Sequence, residues 1–234
     1  MDMDLSCIPY FNGIGDRGLC RVAEACHQRA YQAGATIFTE DGECAGFHVV
    51  MEGLVRIYRV NSEGRLHTLS LLRPYSTFNE VAAVDGDVNP YNAVAVTSAL
   101  VLTLSHDKLM TLMASEPALL SNYVQSLARV NREYIERLED MTFRTIPSRL
   151  AKLFLHESSY ADQISETPTA LTQEEMASIL GTTREVVGRS LRGLLNAGLL
   201  VKKGRNVYIA DRTGLEHLAE TNTMPEPLLT SRSK

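Results

Sequence analysis

The chain has 234 residues, 44% of them hydrophobic, and carries 28 acidic against 23 basic side chains for a formal charge of -5. That length gives one large or two small domains enough interior for a core. Net acidity excludes a generic nucleic-acid coat but suits a reader that confines its cations to one patch.

The N-terminal MDMDLSCIPYFNG lacks the basic start and apolar core of a signal peptide, and no apolar run reaches the ~20 residues of a membrane span. A cytoplasmic protein with no membrane contact is expected. Cys7, Cys20, Cys26 and Cys44 all fall early in the chain and form no C-x₂-C pair, so reduced thiols without metal are expected. His27, His48, His67, His106, His156 and His217 make no H-x₃-H or H-E-x₂-H set, although one of them could hold haem.

Ile14–His27 reads as a short helix. From about Arg29 to Leu104 the chain reads as short strands, with Ala35–Phe38, Phe47–Met51, Val55–Val60, Leu66–Leu72, Ala93–Thr97 and Val101–Leu104 as candidates. Glycines stand between or beside them, and Asn61-Ser62-Glu63-Gly64 is a turn by composition. Many short strands so punctuated predict a small barrel or jelly roll.

A long helix should follow, with Pro117 in its first turn. Leu120, Val124, Leu127, Asn131, Tyr134, Leu138 and Met141 then fall at alternating steps of four and three, which is an a/d seam. A helix packed on its own domain would explain one apolar stripe equally well. Helix length and a lone Asn131 on the seam favour a homodimer. Thr145–Pro147 is expected to break the helix as a hinge, because Pro147 disfavours helix at Ile146. Ser148–Tyr160 is the next expected helix, and Asp162–Ala170 a polar loop.

The segment Leu171–Leu200, LTQEEMASILGTTREVVGRSLRGLLNAGLL, predicts two helices around a glycine turn. Thr172 and Glu175 have capping-box spacing, and Gly181 supplies a left-handed residue that ends the first helix. The second opens at Thr182 or Thr183, carries the apolar stripe Val186, Val187, Leu191, Leu194 and Leu195, and closes at Gly198. Its other face begins with Thr183, Arg184, Glu185 and Arg189, the layout of a helix-turn-helix whose second helix reads the major groove. Arg184 and Arg189 can each fork onto guanine O6 and N7, and Glu185 can accept from cytosine N4. A solvated face with a chance charge pattern is the alternative.

Leu199–Val201 and Val207–Ile209 then read as a hairpin with a basic tip, Lys202, Lys203 and Arg205, suited to phosphates. Between Thr182 and Asn206 six cations face the single anion Glu185. The tail after Leu218, TNTMPEPLLTSRSK, is expected to be disordered.

Several segments in this order resemble the Crp/Fnr family, the cyclic-AMP receptor protein and its relatives among bacterial transcription factors. They are Ala33-Gly34-Ala35-Thr36-Ile37-Phe38 through Gly42, Phe47-His48-Val49-Val50-Met51-Glu52-Gly53-Leu54-Val55, Thr77-Phe78-Asn79-Glu80 and Thr183-Arg184-Glu185-Val186-Val187-Gly188-Arg189. The resemblance implies an α+β protein. Its parts would be an effector-sensing β-roll (1–116), a dimerisation helix and hinge (117–145), a winged helix-turn-helix (146–220) and a tail (221–234). It also implies double-stranded DNA, a second copy of the chain, RNA polymerase and a small-molecule effector as partners, with a TGTGA-like half-site read by Arg184, Glu185 and Arg189. Thr182, Thr183, Lys202, Lys203 and Arg205 join that interface. Ser70, Leu72, Asn79, Glu80, Tyr91 and Asn92 would line the β-roll interior, faced by Asn131 and Tyr134.

Two departures bear on the effector. Asn79 stands where the cyclic-AMP branch has glycine before the ribose-binding carboxylate, here Glu80. No cation stands in Asn89-Pro90-Tyr91-Asn92, where that branch has Arg-Ser. A cyclic phosphate would be buried without its counter-charge, so cyclic AMP is not the expected effector. The four-cysteine spacing of the oxygen-sensing branch is also missing. A haem-based gas or redox sensor within the family, and a scaffold whose winged domain contacts protein, remain as alternatives. No Ser/His/Asp set, paired carboxylates or phosphate-cradling glycine loop points to an enzyme.

Overall fold

A computed structural model describes residues 5–164, 171–204 and 206–224, and divides the chain into two compact units, Met1–Ile135 and Glu136–Lys234. In the first unit, two single-turn 3₁₀ helices (Leu5–Cys7 and Pro9–Phe11) lead into α1 (Gly15–Ala25). Ile8, Tyr10 and Phe11 are buried, and the Tyr10 ring meets Phe47 and Tyr123 edge-on at centroid distances of 5.1 and 4.8 Å.

Eight strands follow: β1 (His27–Tyr31), β2 (Thr36–Phe38), β3 (Phe47–Glu52), β4 (Val55–Val60), β5 (Leu66–Leu72), β6 (Thr77–Phe78), β7 (Asn92–Ala95) and β8 (Ala99–Leu104). They form two antiparallel four-stranded sheets, ordered β1-β8-β3-β6 and β2-β7-β4-β5. The expected jelly roll is therefore present. β1 and β6 are additions to the expected set, and β7 lies slightly earlier than Ala93–Thr97.

Phe47 through Val50 are buried without a break, because the first sheet is covered on both faces. Val50 and Val101 point between the sheets with Phe38, Val55, Ile57, Phe78, Tyr91 and Ala93. Phe47, Val49, Leu102 and Leu104 point the other way, into a second core with Val22, Leu109, Leu119 and Tyr123. The β3–β4 turn demands glycine: Gly53 has φ 84, and a Cβ there would overlap the Ser98 carbonyl.

Three helices complete this unit's chain order: α2 (Glu80–Asp85), α3 (His106–Ser115) and α4 (Pro117–Phe143). α4 starts at Pro117 as expected and runs past the boundary between the units. Leu119, Tyr123 and Ser126 are its buried face. The expected seam lies elsewhere on the helix. Val124 is 60% and Leu138 64% exposed; Leu120, Asn131, Tyr134 and Met141 are exposed too, and Leu127 is half-buried.

The second unit contains α5 (Ile146–Ile164), α6 (Gln173–Leu180), α7 (Arg184–Asn196), β9 (Leu200–Lys203), β10 (Asn206–Ile209) and α8 (Arg212–Thr221). Its core joins Leu150, Phe154, Met176, Leu180, Val187, Leu194, Leu199 and Leu215. Pro147 does not hold Ile146 out of helix, contrary to expectation. It sits in the first turn of α5, where its missing N–H removes no bond.

Side chains within the second unit hold the segment 140–145. Asp140 accepts from Arg144 and Lys152, each at 2.6 Å. The Arg144 guanidinium donates to the Ala219 carbonyl, and Asn222 Oδ1 accepts from the Thr145 amide at 2.8 Å. α8 ends at Thr221, the first residue of the expected tail TNTMPEPLLTSRSK, and is capped by left-handed Asn222. Residues 225–234 of that tail lie outside the described residues. So does 165–170 of the expected polar loop, whose start, Asp162–Ile164, continues α5. Among the described residues no helix is long and apolar enough to cross a membrane.

Candidate nucleic-acid interface

α6 opens on a complete capping box. Thr172 Oγ1 accepts from the Glu175 amide at 3.2 Å, and Glu175 Oε2 accepts from the Thr172 amide at 2.7 Å. Two of the helix's unpaired N-terminal donors are thereby satisfied. At its other end Gly181 (φ 62) turns the chain, while Arg149 Nη2 from α5 donates to the Leu180 carbonyl at 2.5 Å. A cation there also complements the negative end of the helix dipole.

Thr183 is the N-cap of α7, accepting from the Val186 amide at 3.5 Å. Val187, Leu191 and Leu194, at steps of four and three, are buried against α5 and α6 and fix the rotation of the helix. That rotation leaves Thr183, Arg184, Glu185, Arg189 and Arg192 exposed, with Thr182 half-buried. The Glu185 carboxyl is held below the ordinary carboxylate range by its own backbone amide, then by the Thr183 hydroxyl and the Arg184 and Arg189 charges. It is an anion between two forks at neutral pH.

An open groove runs along this face, lined by Thr172, Gln173, Arg184, Glu185, Arg189 and Lys202 among others. Gly188 faces the Gln173 side chain of α6: a Cβ there would stand 3.2 Å from Gln173 Oε1. The β9–β10 hairpin pairs Asn206 with Lys203 and Val207 with Lys202, and turns at Gly204 (φ 64). Lys202 and Lys203 are exposed, Lys203 Nζ lying 5.3 Å from the Tyr208 ring centroid. Arg205 lies outside the described residues. Gln173 and Arg192 were missed as site residues. A glycine inside an otherwise helical run was the available signal for Gln173, since it marks a close approach.

The residues that the resemblance assigns to an effector differ in burial. Leu72, Asn79 and Tyr91 are buried, Ser70, Glu80 and Asn92 half-buried, and Asn131 and Tyr134 exposed on α4. Tyr134 lies near enough to Tyr91 to interact electrostatically with it. Asn92 corrects the expectation of an interior position. Its strand buries Ala93 and Ala95, so Asn92 points to the outer face, where its Oδ1 accepts from the Glu40 amide at 3.1 Å.

Glu80 accepts from Thr77 Oγ1 at 2.6 Å, and Tyr123 donates to its carbonyl at 2.8 Å. Burial raises its carboxyl above the ordinary range, opposed by the Thr77 hydrogen bond, its own amide, the nearby Tyr10 hydroxyl and the Arg129 charge. Of the histidines offered for haem, His48 is buried against Phe78 and Phe38, with Nδ1 2.9 Å from the Gly46 carbonyl. Burial lowers it to about 4, so it is neutral at physiological pH.

Comparisons with known proteins agree with this division. A family profile described as "Cyclic nucleotide-binding domain" matches residues 28–116, and one described as "Crp-like helix-turn-helix domain" matches residues 148–218. The "CRP-like cAMP-activated global transcriptional regulator" of Mycobacterium tuberculosis is 25% identical over 226 residues, covering 94% of this chain and 100% of the relative. "Transcriptional regulator SdrP" of Thermus thermophilus is 30% identical over 182 residues, covering 74% of this chain and 83% of the relative. A solved transcriptional regulator of the CRP/FNR family from Thermus thermophilus is 25% identical with a TM-score of 0.68, over 84% of this chain and 100% of that one.

Proposed function

Because the chain belongs to the Crp/Fnr family of DNA-binding transcription regulators, we propose that it acts as a homodimer reading a TGTGA-like palindrome. One observation carries the reading: Arg184, Glu185 and Arg189 project together from a helix whose opposite face is locked in the core. Two guanidinium forks flanking a carboxylate match guanines and a cytosine in one half-site, each good bidentate pair contributing about 1–3 kcal/mol of discrimination. Lys202 and Lys203 on the hairpin contact phosphates and set affinity without sequence information. Arg205 and the hydroxyls of Thr182 and Thr183 complete the interface.

The apolar seam of α4 supports the dimer. Val124 and Leu138 have no cover in one chain, and a two-fold pair sets two reading helices against a palindrome. Domains follow the expected order, with the β-roll to residue 116 as the sensing half and the winged domain from residue 146 as the reader. RNA polymerase is the partner addressed on DNA, and the cytoplasm is the place of action. The effector is a small molecule other than cyclic AMP, which a segment without Lys or Arg between Arg73 and Lys108 supports. Relatives of the family are transcription regulators rather than enzymes.

A gel shift tests the proposal. A TGTGA-N₆-TCACA duplex should be retarded at concentrations that leave a scrambled duplex free, with two chains per duplex. Equal binding of the two duplexes overturns the specificity, and one chain per duplex overturns the dimer.

A further inference from the structure

We infer that the effector cassette of this β-roll is closed by its own side chains, and that it admits no cyclic nucleotide. The inference rests on the regulator reading only in taking the β-roll as the sensing half. The residues concerned are Asn79, Asn89 and Tyr91, which the loop 39–46 grips from the other side.

Asn79 is wholly buried and has φ 64, a left-handed conformation that asparagine tolerates better than most residues. Its Nδ2 donates to the Gly46 carbonyl at 3.0 Å and to Asn89 Oδ1 at 2.9 Å, while its amide donates to the Tyr91 hydroxyl at 2.6 Å. Asn89 is 1% exposed and works as a second clasp. Its Oδ1 also accepts from the Ala45 amide at 3.0 Å, and its Nδ2 donates to the carbonyls of Glu43 and Thr39 at 2.8 and 3.2 Å. Backbone bonds add to it, from Asp41 N to Asn89 O and from Asn89 N to Gly42 O, both 3.0 Å. Phe38, His48, Phe78 and Tyr91 stack beside the clasp, with centroids 4.8–6.0 Å apart.

A cyclic nucleotide brings a phosphate anion that needs a cation or several free N–H donors once buried. The side-chain donors of Asn79 and Asn89 are already spent on protein acceptors. What Asn79 leaves over is Oδ1, a buried acceptor without a partner, which repels a phosphate oxygen instead of binding it. The Glu80 carboxyl is already engaged by the Thr77 hydroxyl and offers no cation. Of the cations on the surrounding elements, Arg59 pairs with Glu40, and Arg56, on the strand face opposite core residues Val55 and Ile57, lies over the Tyr58 ring with its Nε unpartnered. Arg129 acts on Glu80 more weakly than the Thr77 hydroxyl does. The residues present therefore do not fit the ligand for which the matching fold is named.

Calorimetry and thermal melting of the full chain with cyclic AMP and cyclic GMP test this. No saturable heat should appear, and the melting temperature should stay within about 1 °C at ligand ~100-fold above a micromolar Kd, where binding would raise it by several degrees. Saturable binding of either nucleotide overturns the inference. Asn89→Ala should speed amide hydrogen exchange at Ala45 by about tenfold or more, and unchanged exchange would mean that the clasp does not hold the loop.

The same preparation is then titrated with the palindrome, with and without cyclic AMP. Equal retardation supports both readings. Retardation only with cyclic AMP overturns the closed cassette and keeps the regulator. No retardation in either condition overturns the DNA reading, while the calorimetry still decides the cassette.

Discussion

Glu80→Gln should stabilise the protein at neutral pH and lose that advantage in acid. The Glu80 carboxyl accepts from Thr77 and lies near Tyr10 and Tyr123, and burial raises its pKa above the ordinary 4.5. Between 4.5 and the raised value the unfolded chain has released this proton while the native chain retains it. Stability contributed by the site is therefore complete below the unfolded pKa and declines as pH rises through that window, by at most about 1.4 kcal/mol per pH unit. Glu80 keeps some exposure, so solvent narrows that window. Glutamine retains an oxygen to accept from Thr77 and has no proton to lose.

Subtracting wild-type from variant stability cancels every other carboxylate. The difference should be small near pH 4.5, grow as pH rises, and level off above the native pKa. Urea unfolding followed by tyrosine emission is suitable, since the chain has nine tyrosines and no tryptophan. A difference independent of pH, or a glutamine variant less stable throughout, would refute the argument from burial.

Four further outcomes are expected. Arg184→Ala should relax base preference at one position of each half-site, costing about 1–3 kcal/mol, whereas Lys203→Ala should weaken all duplexes alike and reduce the salt slope by about 1 in competition gel shifts. Gly188→Ala should raise the melting temperature, because alanine gains about 1 kcal/mol of helix propensity and its Cβ meets only the movable end of Gln173; a lower melting temperature would show that Gln173 cannot give way. Leu138→Glu, at a 64% exposed position, should leave the fold intact and give monomers in analytical ultracentrifugation, and persistent dimers would remove the seam from the interface.

The reading helix was the most legible part of the chain because its signals are local. Thr172 with Glu175, Gly181, Thr183 and the stripe Val187, Leu191 and Leu194 each fix one feature within a few residues, and each occurs in the structure as expected. The β-roll strands were legible where β-branched residues alternate with glycine turns, as in Val55–Val60. β6 is only two residues long, and β1 is mostly polar, exposed along His27–Ala30, so neither carries a periodic signal. α8 was hidden because its cap, Asp211, opens a helix with few apolar residues, whose burial depends on distant Leu150 and Leu199. The clasp around Asn89 was invisible for the same reason: its partners Thr39, Glu43 and Ala45 lie more than forty residues away.

Base reading by the exposed forks of α7 is tested most directly by pairing a side-chain change with a base change. Affinities of wild type and Arg184→Ala are measured on the palindrome and on a copy carrying 7-deazaguanine, which lacks N7, at the half-site guanine. Wild type should lose affinity on the modified duplex and Arg184→Ala should not, a coupling of about 1 kcal/mol or more. Equal losses for both proteins, at that guanine and in the same cycle with Arg189→Ala, would contradict the account.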